Sequence, residues 1–344
     1  MKAWVLHDIN DIRSEDIEKP VPNKEEVLVK VKACGICGSD IPRIFKTGAH
    51  VHPIVPGHEF SGEVVDSADE AGKGFIGKRV GIFPLIPCMN CGPCKNKQYE
   101  MCRKYDYLGS RSDGGFAEYV SVPKWNLIEL PDNVSFEAAA MLEPMAVAVH
   151  AMRRAIAGRT LDIKISVIGL GTIGLLLVMF LKEAGYDDLY VVGNKAFQKK
   201  KALELGIKED HYIDSKDAAD EMTGKMDVVF EVVGKNDTLK KAIRFAAPSG
   251  YVLTVGNPAG DMSLDKSEYW KILRDQLTVR GTWNSSFTKD VTDDWHYVLD
   301  RISSGRIAPE SLITHKFPLE DLMSGLSIMK DKTEDYVKIM TVTD

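Results

Sequence analysis

The 344-residue sequence predicts an α/β chain in which a β-rich region precedes a doubly wound parallel sheet, and three observations carry that prediction. From Lys2 to Lys32, short strand-like runs such as Val27-Leu28-Val29-Lys30-Val31 alternate apolar with polar residues and are separated by Pro and Asn clusters. From Asp162 onward apolar strands alternate with helical stretches, the pattern of parallel strands joined by crossover helices. At the head of that region an apolar strand runs directly into a glycine-rich turn and a helix. A chain of this length suits two cores rather than one. The boundaries are expected at 1–150, 151–286 and 287–344, the last segment returning to the first domain.

Within the β-rich part, Cys34-Gly35-Ile36-Cys37-Gly38-Ser39-Asp40 gathers thiols, a hydroxyl and a carboxylate. Ser39 and Asp40 followed by Pro42 predict the start of a short helix. A cysteine beside a helix N-terminus has its thiolate favoured, so Cys37 reads as a metal ligand. A redox pair of Cys34 with Cys37, or two buried thiols, is the alternative at this point. Further on, Val55-Pro56-Gly57 turns the chain and delivers His58-Glu59 into a strand. Adjacent residues in a strand face opposite ways, so one can bind a metal while the other supports it or exchanges with it.

Cys88, Cys91, Cys94 and Cys102 have the spacing C-x2-C-x2-C-x7-C, with Gly92 and Pro93 folding the chain back between them. Four thiolates so placed close a tetrahedron around zinc and leave no position for water, which makes the site structural. A zinc-ribbon nucleic-acid module is the competing reading, but such modules present two separated knuckles and a basic surface. Asp113 to Val120 predicts a turn into a strand, and Glu137 to Ala151 an apolar helix with Glu143 in its middle. An isolated buried carboxylate is costly, so Glu143 needs a partner, and a metal would be one. A solvated helix face is the alternative.

In the second part, Ile163 to Ile168 leads into Gly169-Leu170-Gly171-Thr172-Ile173-Gly174 and a helix that is apolar almost all round. This is the dinucleotide-binding G-x-G-x-x-G between a strand and a helix, with the pyrophosphate expected on the helix N-terminal amides. The next strand, Leu189 to Val192, ends at Gly193-Asn194-Lys195, where an NAD site would present a carboxylate to the ribose. Gly193, Asn194, Lys195 and Lys199, with Lys200 and Lys201, instead offer room and positive charge, which predicts NADP(H) over NAD(H). The lysine run as a merely solvated helix face is the alternative. Strands are expected at Asp227 to Val233, Gly250 to Gly256 and Leu277 to Trp283, within a six-stranded sheet, and at Ile307 to Phe317 and Tyr336 to Val342.

The net charge of −6 offers no basic field for a phosphate backbone, so no nucleic-acid partner is expected. Ile165 to Leu181 is uncharged, but Gly169, Gly171 and Gly174 break it, so no membrane span is expected. Met1 to Asn10 lacks the apolar core of a secretory signal, so a cytoplasmic protein is expected. Six cysteines, four of them between Cys88 and Cys102, suit a metal site rather than a disulfide framework.

Taken in order, Cys37-Gly38-Ser39-Asp40, Gly57-His58-Glu59, the four-cysteine lobe, Glu143-Pro144 and Gly169 to Gly174 resemble the zinc-dependent medium-chain dehydrogenase/reductase family over essentially the whole chain. Pro42 to His50, and Lys271 to Arg274 before Leu277-Thr278-Val279, resemble its polyol (sugar-alcohol phosphate) branch. The resemblance implies a GroES-like catalytic domain, a Rossmann domain inserted before the final segment, and a cleft between them holding a catalytic zinc in addition to the structural one. It implies Cys37 and His58 as fixed ligands, Glu143 as the third, Glu59 as a ligand or exchanging neighbour, and Asp40 behind His58. Zinc would act as a Lewis acid while hydride moves between a secondary alcohol carbon and nicotinamide, with Ser39 passing the proton. Many relatives carry a His five residues after the catalytic Cys, whereas this chain has Pro42. Arg43 and Lys46 become candidates for the phosphate of a galactitol 1-phosphate-like substrate. A homodimer or homotetramer is implied. An unphosphorylated polyol or threonine as substrate, or a zinc- and nucleotide-binding redox sensor, are the competing functions.

Overall fold

The computed structural model describes residues 1–216 and 222–343. The chain divides into two compact units, Met1–Glu143 with Ser286–Asp344, and Pro144–Ser285. The division falls between Glu143 and Pro144, inside the helix Leu142–Ile156.

The first unit is built on a seven-stranded sheet whose path runs Ile313–Pro318, Lys338–Val342, Glu26–Ile36, Glu59–Ser67, Arg79–Ile82 and Leu127–Glu129, with Tyr119–Pro123 also paired to Glu26–Ile36. Glu26–Ile36 is its organising strand. Val27, Val29 and Val31 alternate inward with Lys30 and Lys32 less buried, as a half-buried pleat requires. Its far end, Ala33 to Ile36, is buried throughout. The core packs Val29, Ile36, Phe60, Phe116, Val120, Leu322 and Ile339 together. The two C-terminal strands join this sheet: Ile36 lies opposite Ile339, and Cys34 opposite Thr341. The expected Ile307 to Phe317 strand is shorter, because Pro309–Leu312 forms a 3₁₀ turn first.

The second unit is a six-stranded, all-parallel sheet in the order Tyr212–Asp214, Leu189–Gly193, Ile165–Ile168, Met226–Glu231, Ala246–Thr254 and Thr278–Gly281. Numbered along the chain this is 3-2-1-4-5-6, the order that reverses direction at strand 1 and places ligands at the carboxyl ends of strands 1 and 4. The edge strand Tyr212–Asp214 had no visible signal in the sequence. At three residues, all half-buried, it shows neither an apolar run nor a full alternation. The helix Thr172–Glu183 is buried from Gly174 to Leu181, as its uniformly apolar composition requires. Among the described residues no helix is long and apolar enough to cross a membrane.

Candidate active site

Strand register brings the metal-type residues of the first unit together. Gly35 is opposite Glu59 on one side of the organising strand, and Ile36 is opposite Ile339 on the other. Cys37, His58, Glu59 and Lys338 therefore gather at one end of three neighbouring strands. Gly57 is needed to start this arrangement: its φ is +94°, and a Cβ there would lie 2.8 Å from Phe116 and 2.9 Å from the Cys34 sulfur. Ligand atoms of Cys37, His58 and Glu59 all lie within 4.8 Å of one another.

Each of these groups is supported from behind. Asp40 is fully buried, accepts from the Cys37 backbone N–H at 2.9 Å, and lies 3.5 Å from His58 Nδ1. That last separation is too long for a good hydrogen bond. His58 Nδ1 is buried with no hydrogen-bond partner, and the Asp40 carboxylate is the charged group beside it. Burial opposes charge on His58, but Asp40 and Cys37 outweigh it and hold the imidazole well above its usual range. Arg43 is hydrogen-bonded to Asp40. Lys46, at the end of the following turn Arg43–Thr47, is exposed. The expected short helix is present at Asp40–Pro42, with the half-buried Ser39 at its N-cap, although the Ser39 side chain makes no capping bond.

Glu59 is buried and hydrogen-bonded to the buried Lys338 ammonium, which also donates to the Ile36 carbonyl at 3.2 Å. Glu143 accepts from the Tyr107 hydroxyl at 3.1 Å, and the Tyr107 ring meets His58 edge-on at 5.8 Å between centroids. Burial, reinforced by the charge of Glu59, pushes the Glu143 carboxyl up to about 7. Lys338 and Tyr107 were not found by sequence reasoning. A single lysine inside the apolar run Tyr336 to Val342 was the one available signal for Lys338. Tyr107 had none, because its partners lie 36 and 49 residues away (143 − 107 and 107 − 58).

The four-cysteine lobe meets a second test. Cys91 Sγ lies 3.4 Å from Cys94 Sγ and 3.8 Å from Cys102 Sγ, and Cys88 Sγ is 4.0 Å from Cys94 Sγ. Sulfurs on a tetrahedron with Zn–S near 2.3 Å stand about 3.8 Å apart, whereas a disulfide needs about 2.05 Å. All six cysteines are free thiols. Burial and the neighbouring sulfurs hold the Cys94 thiol high, while backbone N–H groups of Arg103 and Cys94 lower Cys91. Four thiolates this close need a cation. Cys34 is completely buried and well above its usual pKa through burial, an inert core side chain rather than half of a dithiol.

In the second unit Gly169 follows strand 1 directly, and a Cβ on Gly174 would sit 1.9 Å from the Gly169 carbonyl oxygen. The helix Thr172–Glu183 can thus approach the strand only with glycine there. At Gly171 a Cβ would meet nothing, and this residue occupies the N-cap without a side-chain bond. Open space before uncapped helix amides fits a pyrophosphate. Thr172 and Ile173 are half-buried in that first turn. Gly193 ends strand 2, and Asn194 and Lys195 beyond it are exposed, with no carboxylate among them. Lys199 is paired with Glu209 at 2.8 Å. Glu231, at the end of strand 4, accepts from the N–H groups of Val233 and Gly234 at 2.9 Å and so fixes the loop facing Gly169. Sequence reasoning missed that role, because it depends on a backbone turn.

Cys37, His58 and a carboxylate would hold a zinc ion, which would supply Lewis acidity toward an alcohol or carbonyl oxygen. Asp40 stands beside the imidazole, Lys338 compensates Glu59, and Tyr107 donates to Glu143.

Residues 23–132 match the alcohol dehydrogenase GroES-like domain, and residues 172–304 match the zinc-binding dehydrogenase domain. Galactitol 1-phosphate 5-dehydrogenase of Escherichia coli K12 is 32% identical over 323 residues, covering 91% of each chain. The crystal structure of galactitol-1-phosphate dehydrogenase from Escherichia coli superposes over 100% of both chains with a TM-score of 0.89 at 30% identity. A zinc-binding dehydrogenase from Sinorhizobium meliloti 1021 bound to NADP gives a TM-score of 0.90 at 27% identity, covering 99% of each chain. With a zinc-type cluster in a GroES-like unit, a four-cysteine structural zinc lobe and a nucleotide-binding parallel sheet, the chain belongs to the zinc-binding alcohol dehydrogenase family and is an NAD(P)-linked polyol or alcohol dehydrogenase.

Proposed function

We propose that this enzyme interconverts a secondary alcohol of a sugar-alcohol phosphate, of the galactitol 1-phosphate type, with the corresponding ketose phosphate. The observation that carries the reading is the gathering of basic side chains, Arg43 and Lys46 among them, on the segment that follows Cys37 directly. Similarity to galactitol 1-phosphate 5-dehydrogenase supports it. Cys37 and His58 would hold the catalytic zinc, with Glu143 as third ligand and Glu59, tethered by Lys338, as the exchanging neighbour. Ser39 passes the proton; with Pro42 in place of a histidine, its exit runs through ribose hydroxyls and water. NADP(H) is the preferred nucleotide, because Gly193, Asn194 and Lys195 place no carboxylate against a 2′-phosphate. Lys199, engaged by Glu209, contributes charge rather than a free contact. The enzyme works in the cytoplasm as a homodimer or homotetramer.

The test is a panel of galactitol 1-phosphate, galactitol, sorbitol and threonine assayed with NAD and NADP. A higher kcat/KM for the phosphorylated substrate with NADP is the expected result. Equal rates on galactitol and its phosphate, or a preference for NAD, overturns the corresponding half of the proposal.

A further inference from the structure

Arg111 stands apart from the other basic residues near the site. Among the described residues it makes no ion pair, and its Nε is buried without a hydrogen-bond partner. Its guanidinium is carried by stacking instead, 4.7 Å from the centre of the Tyr105 ring. The backbone holds it equally firmly: Arg111 N–H donates to the Tyr107 carbonyl at 2.9 Å, and Gly109 N–H to the Ser112 carbonyl at 2.7 Å, closing a tight loop. Tyr105 packs edge-on against Tyr107 at 6.2 Å, and Tyr107 in turn touches His58 and hydrogen-bonds Glu143. Arg111 is thus fixed to the side chains around the metal cluster through two aromatic rings, without being part of that cluster. Of the two arginines, Arg43 has its carboxylate, Asp40, and Arg111 has none among the described residues.

A cation left unpaired and pre-oriented in a fork suits a bidentate oxyanion. In a polyol phosphate the phosphoryl group lies several bonds from the reacting carbon, so its partner belongs beyond the layer that touches the metal. Resting on the sugar-alcohol phosphate reading above, we infer that Arg111 binds the substrate phosphate and sets the preference for phosphorylated polyols. The Arg43 guanidinium, engaged by Asp40, then adds positive charge to the segment after Cys37 rather than a free contact.

Steady-state kinetics of the zinc-loaded full-length enzyme and its Arg111→Met and Arg111→Lys variants, on galactitol 1-phosphate and galactitol, test this. Arg111→Met is expected to lower the kcat/KM ratio between the two substrates by about 100-fold, mainly through KM, and Arg111→Lys by about 10-fold. Inorganic phosphate, as a competitor of galactitol, should lose affinity in the same order. If the parent enzyme prefers the phosphate ester and Arg111→Met and Arg111→Lys both keep that preference, the assignment of Arg111 is overturned while the proposed function stands. If the parent enzyme shows no preference, both fall. Should Arg111→Met not fold, judged by its melting temperature and zinc content, Arg111→Lys alone decides.

Discussion

The Lys338 ammonium is hydrogen-bonded to the Glu59 carboxylate, with only 2% and 1% of the two side chains exposed. These residues are 279 positions apart in sequence and meet because the strands Lys338–Val342 and Glu59–Ser67 flank Glu26–Ile36 on opposite sides. The pair compensates a carboxylate whose ligand atom lies within 4.8 Å of those of Cys37 and His58. It is also a point of weakness, because removing one partner strands the other charge in the interior.

Lys338→Met is therefore expected to destabilise the protein by about 3 kcal/mol, and Lys338→Met with Glu59→Gln by much less. Urea denaturation midpoints of the parent, the single variant and the double variant check this. Equal losses in single and double variants would show that the ion pair is not the cause.

Cys37→Ala should abolish turnover and leave the melting temperature within a few degrees of the parent, whereas Cys91→Ser should mainly lower stability. Each variant should lose one of the two zinc ions for which the chain has ligand clusters, measured by metal analysis after dialysis. Near-normal activity in Cys37→Ala would remove that residue from the metal site.

Gly174→Ala tests the nucleotide turn. A methyl group there would stand 1.9 Å from the Gly169 carbonyl oxygen, so the helix must shift away from the strand. Weakening of NADPH affinity by roughly 10-fold or more is expected in a fluorescence titration, since the N-terminal amides move with the helix. Unchanged affinity would show that the turn relaxes without moving them.

Glu268 gives a pH-dependent prediction away from both sites. Burial opposes its ionisation, but Arg244, at 2.8 Å through Nε, and Ser267 hold the carboxyl below its usual range. A folded-state pKa below the unfolded one adds stability above the ordinary carboxylate range and loses it as pH falls through the folded value. Glu268→Gln should cost roughly 1–2 kcal/mol at pH 7, a difference that shrinks as the pH is lowered toward about 4. A loss independent of pH would mean that packing, not charge, is responsible.

Local patterns were enough to read much of this protein from its sequence. The C-x2-C-x2-C-x7-C spacing is a short-range constraint, and a tetrahedron of sulfurs follows from it with little help from the rest of the chain. The glycines of the nucleotide turn are likewise legible, because each answers to a steric requirement within a few residues. Strands 1, 2, 4 and 5 and the helix Thr172–Glu183 announce themselves through apolar runs. What the sequence left open was every relationship set by register and distant packing. Lys338 faces Glu59, Tyr107 reaches Glu143 and His58, and Arg43 is engaged by Asp40 while Arg111 is left without a carboxylate. Charge partners are chosen by which strands lie side by side, and a register shift of one residue would turn each side chain to the opposite face. Residue types and spacing thus determined the family, the metals and the nucleotide turn. Only the tertiary structure decided which of these charges are paired and that Arg111 has no carboxylate partner among the described residues.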